Sequence, residues 1–365
     1  MPDRLAPLPE ALLAAARKAG AEAADAIAVD GRSVSVDVRG GALEQAERSE
    51  GTEIGLRVLI GRRQACVSAS DITARTMAEM AERAVAMARE APEDPTIGLA
   101  DPAELARAWD LALLDLADPA REPGAADLED DARRAEAAAL AVKGISQCQA
   151  ASASYSRRRI FIAATNGFAG GYTRTSRSTS AVAIAGEGLG MERDWAAESR
   201  TYQSDLPAAE EIGRLAGERA AERLGARKPK TGAYPVIFDE RIASGLIGHL
   251  LAAINGSAIV RGSSWLRDAM GAQVLPKGLS IFENPHRPRI SSSRPFDAEG
   301  LPTQARDVVR DGILKSWTLD LGTARKLGMK STASATRSPS SPPAPSISNI
   351  ALTQGDKSRE QLLED

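Results

Sequence analysis

Hydrophobic positions in the N-terminal part of the chain change period twice. Over 8–20 (LPEALLAAARKAG) apolar residues recur at helical spacing and Gly20 follows, which predicts a helix with a glycine stop. Alternation then takes over in DAIAVD (25–30), RSVSVDV (32–38), TEIGLRVLI (52–60) and QACVSAS (64–70), predicting four short strands. GRR at 61–63 predicts a hairpin between the last two. Helical spacing returns over 71–91, with Met77, Met80, Ala84 and Met87 on one face and Asp71 as the expected N-cap.

A second unit opens with the Ala-rich helical pattern EDDARRAEAAALAVKG, from just after Leu128. Three or four strand patterns follow (ISQCQAASASYS, RIFIAATN, YTRTSRSTSAVAIAGEG, MERDWAAESRTYQS), joined by short Gly or Arg turns that suit antiparallel pairing. A helix over 208–226 carries Ile212, Leu215, Ala216, Ala220 and Leu224 on one stripe, and KPKTG breaks it. The third stretch begins with YPVIFD (234–239), which reads as a buried strand, followed by a helix and a small-residue loop around Gly256–Ser264. DVVRDGILKSWTLD (307–320) is a hairpin signal with Asp311-Gly312 at the turn, and LGTARKLG is a short helix. Residues 331–347 are Ser/Pro-rich and read as low complexity. The final GDKSREQLLED starts like a capped helix and then stops, the pattern expected of a chain shortened at its C-terminus.

Helix, strands, helix, without a βαβ rhythm, predicts an α+β fold of antiparallel mixed sheets with packed helices in two structural domains. The segments divide as an N-terminal α+β part (1–125), a strand-rich middle (126–230) and a C-terminal part (231–365). At 365 residues and 43% hydrophobic composition a sizeable core is available, built mainly from aliphatic residues because aromatics make up only 4%. A net charge of −3, well mixed along the chain, argues against direct nucleic-acid binding or a polybasic membrane contact. No signal-like N-terminus and no long apolar run suggests export or membrane spanning, so a soluble cytoplasmic protein is expected. Two cysteines, Cys66 and Cys148, cannot form a disulfide framework and fit a reducing compartment.

The chemistry is sparse. G-x-S-x-G, Walker, H-E-x-x-H and EF-hand patterns are all missing, and GEGLG (186–190) runs from strand to strand, so it reads as a hairpin turn and not a phosphate loop. Both cysteines lie in strand-like runs and read as packing. Of the two histidines, His286 in NPHRPR reads as a solvated loop residue. His249 lies in the helical stretch DERIASGLIGHLLAAI. At about 100° per residue it falls within the apolar stripe of Ile242, Leu246, Leu250 and Ala253, which favours a packed histidine.

YPVIFDERIASGLIGHLLAAINGSAIVRGSSWLRDAMGAQV, then FDAEGLPTQ, then DGILKSWTLDLGTARKLG resemble the TldD/PmbA family, and most closely its PmbA (TldE) branch. The likeness runs in register from about Val29 to the end. It implies a bacterial heterodimer of TldD-like and TldE-like subunits acting as a zinc-dependent peptidase. Family catalytic members carry His-Glu-x-x-x-His on the corresponding helix, with a cysteine ligand near the C-terminus. There the metal acidifies a water and the glutamate moves protons. Here the first histidine falls on Ser244, the glutamate on Gly245 and the second histidine on His249. Hydroxyl and glycine supply neither a good ligand nor a base, so this chain is expected to hold no catalytic residue, metal or cofactor, with zinc in the TldD-like partner.

The expected role is a non-catalytic subunit shaping the path of an unfolded peptide, with self-association when alone. Asn255, Arg261, Asp297, Glu299 and Thr303 are the candidates for holding an extended backbone. The alternative is a regulatory binding protein without proteolytic role, a modulator of DNA gyrase or of a toxin–antitoxin pair. A third is an independent hydrolase with a site of its own.

Overall fold

A computed structural model of the chain describes residues 4–364. The same motif occurs twice. Helix α1 (Pro7–Ala19), strands β1 (Ala23–Arg39), β2 (Ala42–Ile60) and β3 (Arg63–Ala69), then α2 (Ala74–Glu90) form the first. After a short α3 (Leu111–Leu114), helix α4 (Ala125–Leu140), strands β4 (Ile145–Ala164), β5 (Ala169–Ala185) and β6 (Glu192–Arg200), then α5 (Ala209–Glu222) form the second. The two meanders join through β1 and β4 into one antiparallel sheet, ordered β3-β2-β1-β4-β5-β6. The order reads the same outward from the β1–β4 seam in both directions, so the two motifs are related by a local two-fold. Position 125 falls between the halves of this single sheet.

Both helix pairs cover the same face. Ala24, Ala26 and Ala28 of β1 pack under α1 and α2, whereas Val36 and Val38 of the same strand pack under α4 and α5. Small side chains bring the helices close to the sheet and to each other; a Cβ at Gly213 of α5 would lie 1.9 Å from the Ala135 carbonyl oxygen of α4.

This arrangement corrects the reading of short strands. DAIAVD and RSVSVDV are one strand, as are ISQCQAASASYS and RIFIAATN. The polar interruptions are not turns. They pair with each other, Asp30 with Arg159, Gly31 with Arg158, Arg32 with Arg157 and Ser33 with Ser156, where the sheet passes between one helix pair and the next. Thr73, not Asp71, caps α2; Asp71 instead accepts from the Thr73 amide. Met87 and Leu224, assigned to apolar stripes, are exposed: α2 buries the face of Met77, Met80, Ala81, Ala84, Val85 and Ala88, and Leu224 lies beyond the end of α5.

The third part packs on the opposite sheet face, against Ile27, Val29 and Ile162, with Phe296 at the contact. It comprises α6 (Glu240–Ala253), α7 (Gly256–Val260), β7 (Ile281–Glu283), β8 (Arg306–Arg310), β9 (Ile313–Leu314), α8 (Leu321–Lys326), β10 (Ala335–Thr336), β11 (Ala344–Pro345), β12 (Ile350–Leu352) and α9 (Arg359–Glu364). A four-stranded sheet orders β12-β7-β8-β9, and the expected Asp311-Gly312 turn closes β8 to β9 with both residues at positive φ. The Ser/Pro-rich stretch is an ordered strap across the main sheet. The Pro339 carbonyl lies where a Cβ on Gly55 would be, so only glycine at 55 admits it.

Two expectations about α6 fail. YPVIFD is neither strand nor buried: Tyr234, Val236, Ile237 and Phe238 are exposed and lack ladder partners among the described residues. On α6 only Leu250 and Ala253 are buried, whereas Ile242 is 60% exposed, and Leu246 and His249 are exposed as well. Only the last turns of the helix reach the core, so the stripe, and the histidine in it, face outward. His286, expected in solvent, is half-buried, its Nε2 3.0 Å from Thr303 Oγ1. No helix among the described residues is long and apolar enough to cross a membrane.

Candidate functional site

The strap, α7, α8 and the 94–98 loop enclose a polar cleft of about 300 Å³ against β2 and β3. Its floor is Arg57, a charge inside the apolar run of the strand TEIGLRVLI and a signal that sequence reading passed over. The Arg57 side chain is buried on the strap side of the sheet, where Nε donates to Asp25 Oδ2 at 2.7 Å and Nη1 to Gln64 Oε1 at 3.3 Å. Arg337 from the strap takes the other Asp25 oxygen. One carboxylate thus serves two buried guanidinium groups. Burial lowers the pKa of both arginines, with Glu299, Cys66 and Asp320 opposing that shift at Arg57.

Glu299 faces this floor from the turn FDAEG. Asp297 shapes the turn: its carboxylate accepts from the amides of Glu299 (2.9 Å), Leu301 (3.0 Å) and Ala335 (3.1 Å). Glu299 Oε2 accepts from the Leu321 amide at 2.9 Å. Burial, then the charges of Asp297 and Asp320, push the Glu299 carboxyl up to about 8. Burial raises Asp297 too, but its three amide donors favour the ionised form, so Glu299 is the member of the pair that keeps its proton at neutral pH. Asp320 caps α8, accepting from the Thr323 amide and hydroxyl at 2.8 and 2.5 Å. At the rim Lys326 bonds Asp94 at 2.7 Å, which lowers the Asp94 pKa.

Two of the residues singled out from sequence, Arg261 and Glu299, line this cleft together. Arg261 is exposed at the end of α7. Asn255 lies behind it, capping α7 and donating to the Pro345 carbonyl at 2.9 Å. Asp297 and Thr303 are buried and spend their polar atoms within the chain, Thr303 donating to the Arg294 carbonyl at 2.7 Å. Ser244, Gly245 and His249 sit apart on exposed α6. Among the described residues no group of three or more His, Cys, Asp or Glu has metal-holding geometry. Cys66 and Cys148 are free thiols in β3 and β4, both with pKa raised by burial. A cleft with a protonated carboxyl, a buried arginine and the Arg261 and Lys326 cations at its rim can exchange hydrogen bonds with a polar chain; it presents no activated nucleophile.

Comparison with known proteins decides the family. The PmbA/TldA metallopeptidase domain 1 matches residues 24–88, the central domain 118–224 and the C-terminal domain 231–365.

The chain belongs to the PmbA/TldD family.

It is 37% identical over 302 residues to the metalloprotease PmbA of Escherichia coli O157:H7, covering 83% of this chain and 67% of that one. A PmbA homologue of Haemophilus influenzae is 34% identical over 328 residues, covering 88% and 70%. In the PmbA/TldD family the fold extends across large sequence distances. A solved structure from Bacteroides thetaiotaomicron, described as a modulator of DNA gyrase, superposes with a TM-score of 0.89 at 24% identity over 98% of this chain and 79% of that one. TldE of Thermococcus kodakarensis gives 0.80 at 17% identity, covering 97% and 79%.

Proposed function

We propose that this chain is the non-catalytic subunit of a cytoplasmic TldD/TldE-type zinc metallopeptidase acting on unfolded peptides, paired with a TldD-like subunit that supplies the zinc. The observation carrying this reading is the chemistry of α6. The positions that resemble a zinc helix hold Ser244, Gly245 and His249, and a regular helix sets 244 and 249 about 140° apart. One imidazole without a second ligand or a neighbouring base does not fit a catalytic zinc. No step through a metal is therefore assigned to these residues.

What this chain contributes is surface. The apolar side chains of Tyr234, Val236, Phe238, Ile242 and Leu246 are all exposed, a run that a partner of matching apolar character would cover. Arg261 and Glu299 offer a cation and a neutral carboxyl to a passing peptide backbone. The two free thiols suit a reducing compartment. Co-expression with a TldD-like subunit carrying an intact His-Glu-x-x-x-His tests the proposal. The expected result is a stable complex that degrades casein, inhibited by chelator, with neither zinc nor cleavage in this chain alone. A complex with gyrase formed without the TldD-like subunit, and no proteolysis when that subunit is added, would overturn it in favour of a regulatory binding role. Stoichiometric zinc with chelator-sensitive cleavage by this chain alone would make it an independent hydrolase.

A further inference from the structure

A second cavity, of about 340 Å³, lies on the strap side of the sheet across the β1–β4 seam. Its volume is that of a small-ligand site. One wall is aliphatic and comes from the sheet: Ile27, Val29, Ile160 and Ile162. The other wall is cationic. Arg174 of β5, Arg294, Arg337 of the strap and the exposed Arg158 line the cavity, and Asp297 is the one carboxylate among the lining residues.

Three of these guanidinium groups are anchored and still have a donor to spare. Arg174 donates to the carbonyls of Ser291 and Ser293, and Arg294 to those of Ala335 (3.3 Å) and Ser346 (2.7 Å). Arg337 is held by Asp25. Yet Arg174 Nε, Arg294 Nε and Arg337 Nη2 are buried and find no acceptor. Asp297 accepts from none of these three donors: its oxygens take three backbone amides, although its charge acts on Arg294. Buried donors without acceptors are costly, and a surplus of guanidinium charge beside an aliphatic wall asks for an anion with an apolar body.

We propose that this cavity binds a carboxylate borne on a short aliphatic body, such as the terminal carboxylate of a peptide ending in an aliphatic residue or a free branched acid. The aliphatic portion lies on Ile27, Val29, Ile160 and Ile162, and the carboxylate accepts from Arg174, Arg294 and Arg337 after small rotations of their side chains. The assignment concerns this chain by itself and depends on neither a partner nor proteolysis.

Calorimetric titration of the whole chain tests it with four probes: N-acetyl-L-leucine, its carboxamide, and the peptide Ala-Ala-Ala-Leu with a free or an amidated C-terminus. At least one free acid should bind with a stoichiometry of one, and its amide at least about tenfold more weakly, since the amide forfeits the charge-assisted hydrogen bonds to the guanidinium groups. Tighter binding of the peptide acid identifies a chain terminus as the ligand; binding of the acetylated residue alone identifies a free acid. Arg174→Gln should weaken the acid about tenfold and leave the amide unchanged. Ile347→Trp, from the half-buried strap side of the cavity, should block both and guards against a misfolded arginine variant. Equal binding of acid and amide, no binding of any probe at millimolar concentration, or acid binding indifferent to both substitutions would each overturn the proposal.

Discussion

Replacing Gly213 by alanine should destabilise the protein, although alanine is the better helix former. The substitution places a methyl group on α5 where it meets the backbone of α4, 1.9 Å from the Ala135 oxygen and 2.7 Å from its carbon. Ordinary separation between such atoms is about 3.5 Å, so the methyl group sits roughly 1.5 Å too close. A flexible side chain could swing away; a helix carbonyl cannot. α5 is held against β5 and β6 as well as α4, with Ile212, Ala216 and Ala220 fully packed, so relief requires moving a whole helix. Overpacking of this kind costs about 1–3 kcal/mol, and a clash with backbone belongs at the upper end. Helix propensity returns about 1 kcal/mol. The net loss should be about 1–2 kcal/mol, read as a lower urea midpoint at unchanged slope. Gly245→Ala on α6 is the matched control: nothing lies within 4 Å of its Cβ, so it should stabilise by about 0.5–1 kcal/mol. A neutral or stabilising Gly213→Ala would refute the close approach of α4 and α5.

Three further outcomes follow from the same coordinates. Asp25→Asn leaves the buried Arg57 and Arg337 without their shared counter-charge and should cost about 3–5 kcal/mol in denaturant unfolding; a loss below about 1 kcal/mol would show that the cluster is not desolvated. Glu299 has a folded pKa near 8 against an ordinary 4.5, so the unfolded chain releases its proton first. Stability should therefore fall as pH rises from about 4.5 to 8, by up to about 1.4 kcal/mol per pH unit, and Glu299→Gln should remove that fall while keeping an acceptor for the Leu321 amide; identical slopes for the two proteins would contradict the buried carboxyl. Ile242→Glu, on the exposed face of α6, should change unfolding stability of the isolated chain by less than about 0.5 kcal/mol yet abolish co-purification with a TldD-like subunit; retention of the complex would remove α6 from the interface.

Local pattern carried far in this protein wherever a rule acts over a few residues. Hydrophobic periodicity located α1, α2 and α5, alternation located the strands, and Asp311-Gly312 marked its turn because positive φ at both positions narrows the choice of residues. Ordered motifs, from the α6 segment through FDAEGLPTQ to DGILKSWTLDLGTARKLG, were enough to indicate the family. Burial on α6 was not legible, because an apolar stripe says that a face wants cover but not whether cover is present. Nor were the long strands: a polar run such as Ser156–Arg159 reads as a turn until its pairing with Asp30–Ser33 shows that it bridges two helix layers. The cleft and the cationic cavity lay further out of reach. Asp25, Arg57, Glu299 and Arg337 are separated by up to 312 positions along the chain, and no spacing rule spans that distance. Sequence alone determined where the principal helices and most of the strand-forming segments lie, and it indicated the family. Tertiary structure decided which charges share a buried space, because desolvation and pairing depend on what surrounds a residue in three dimensions.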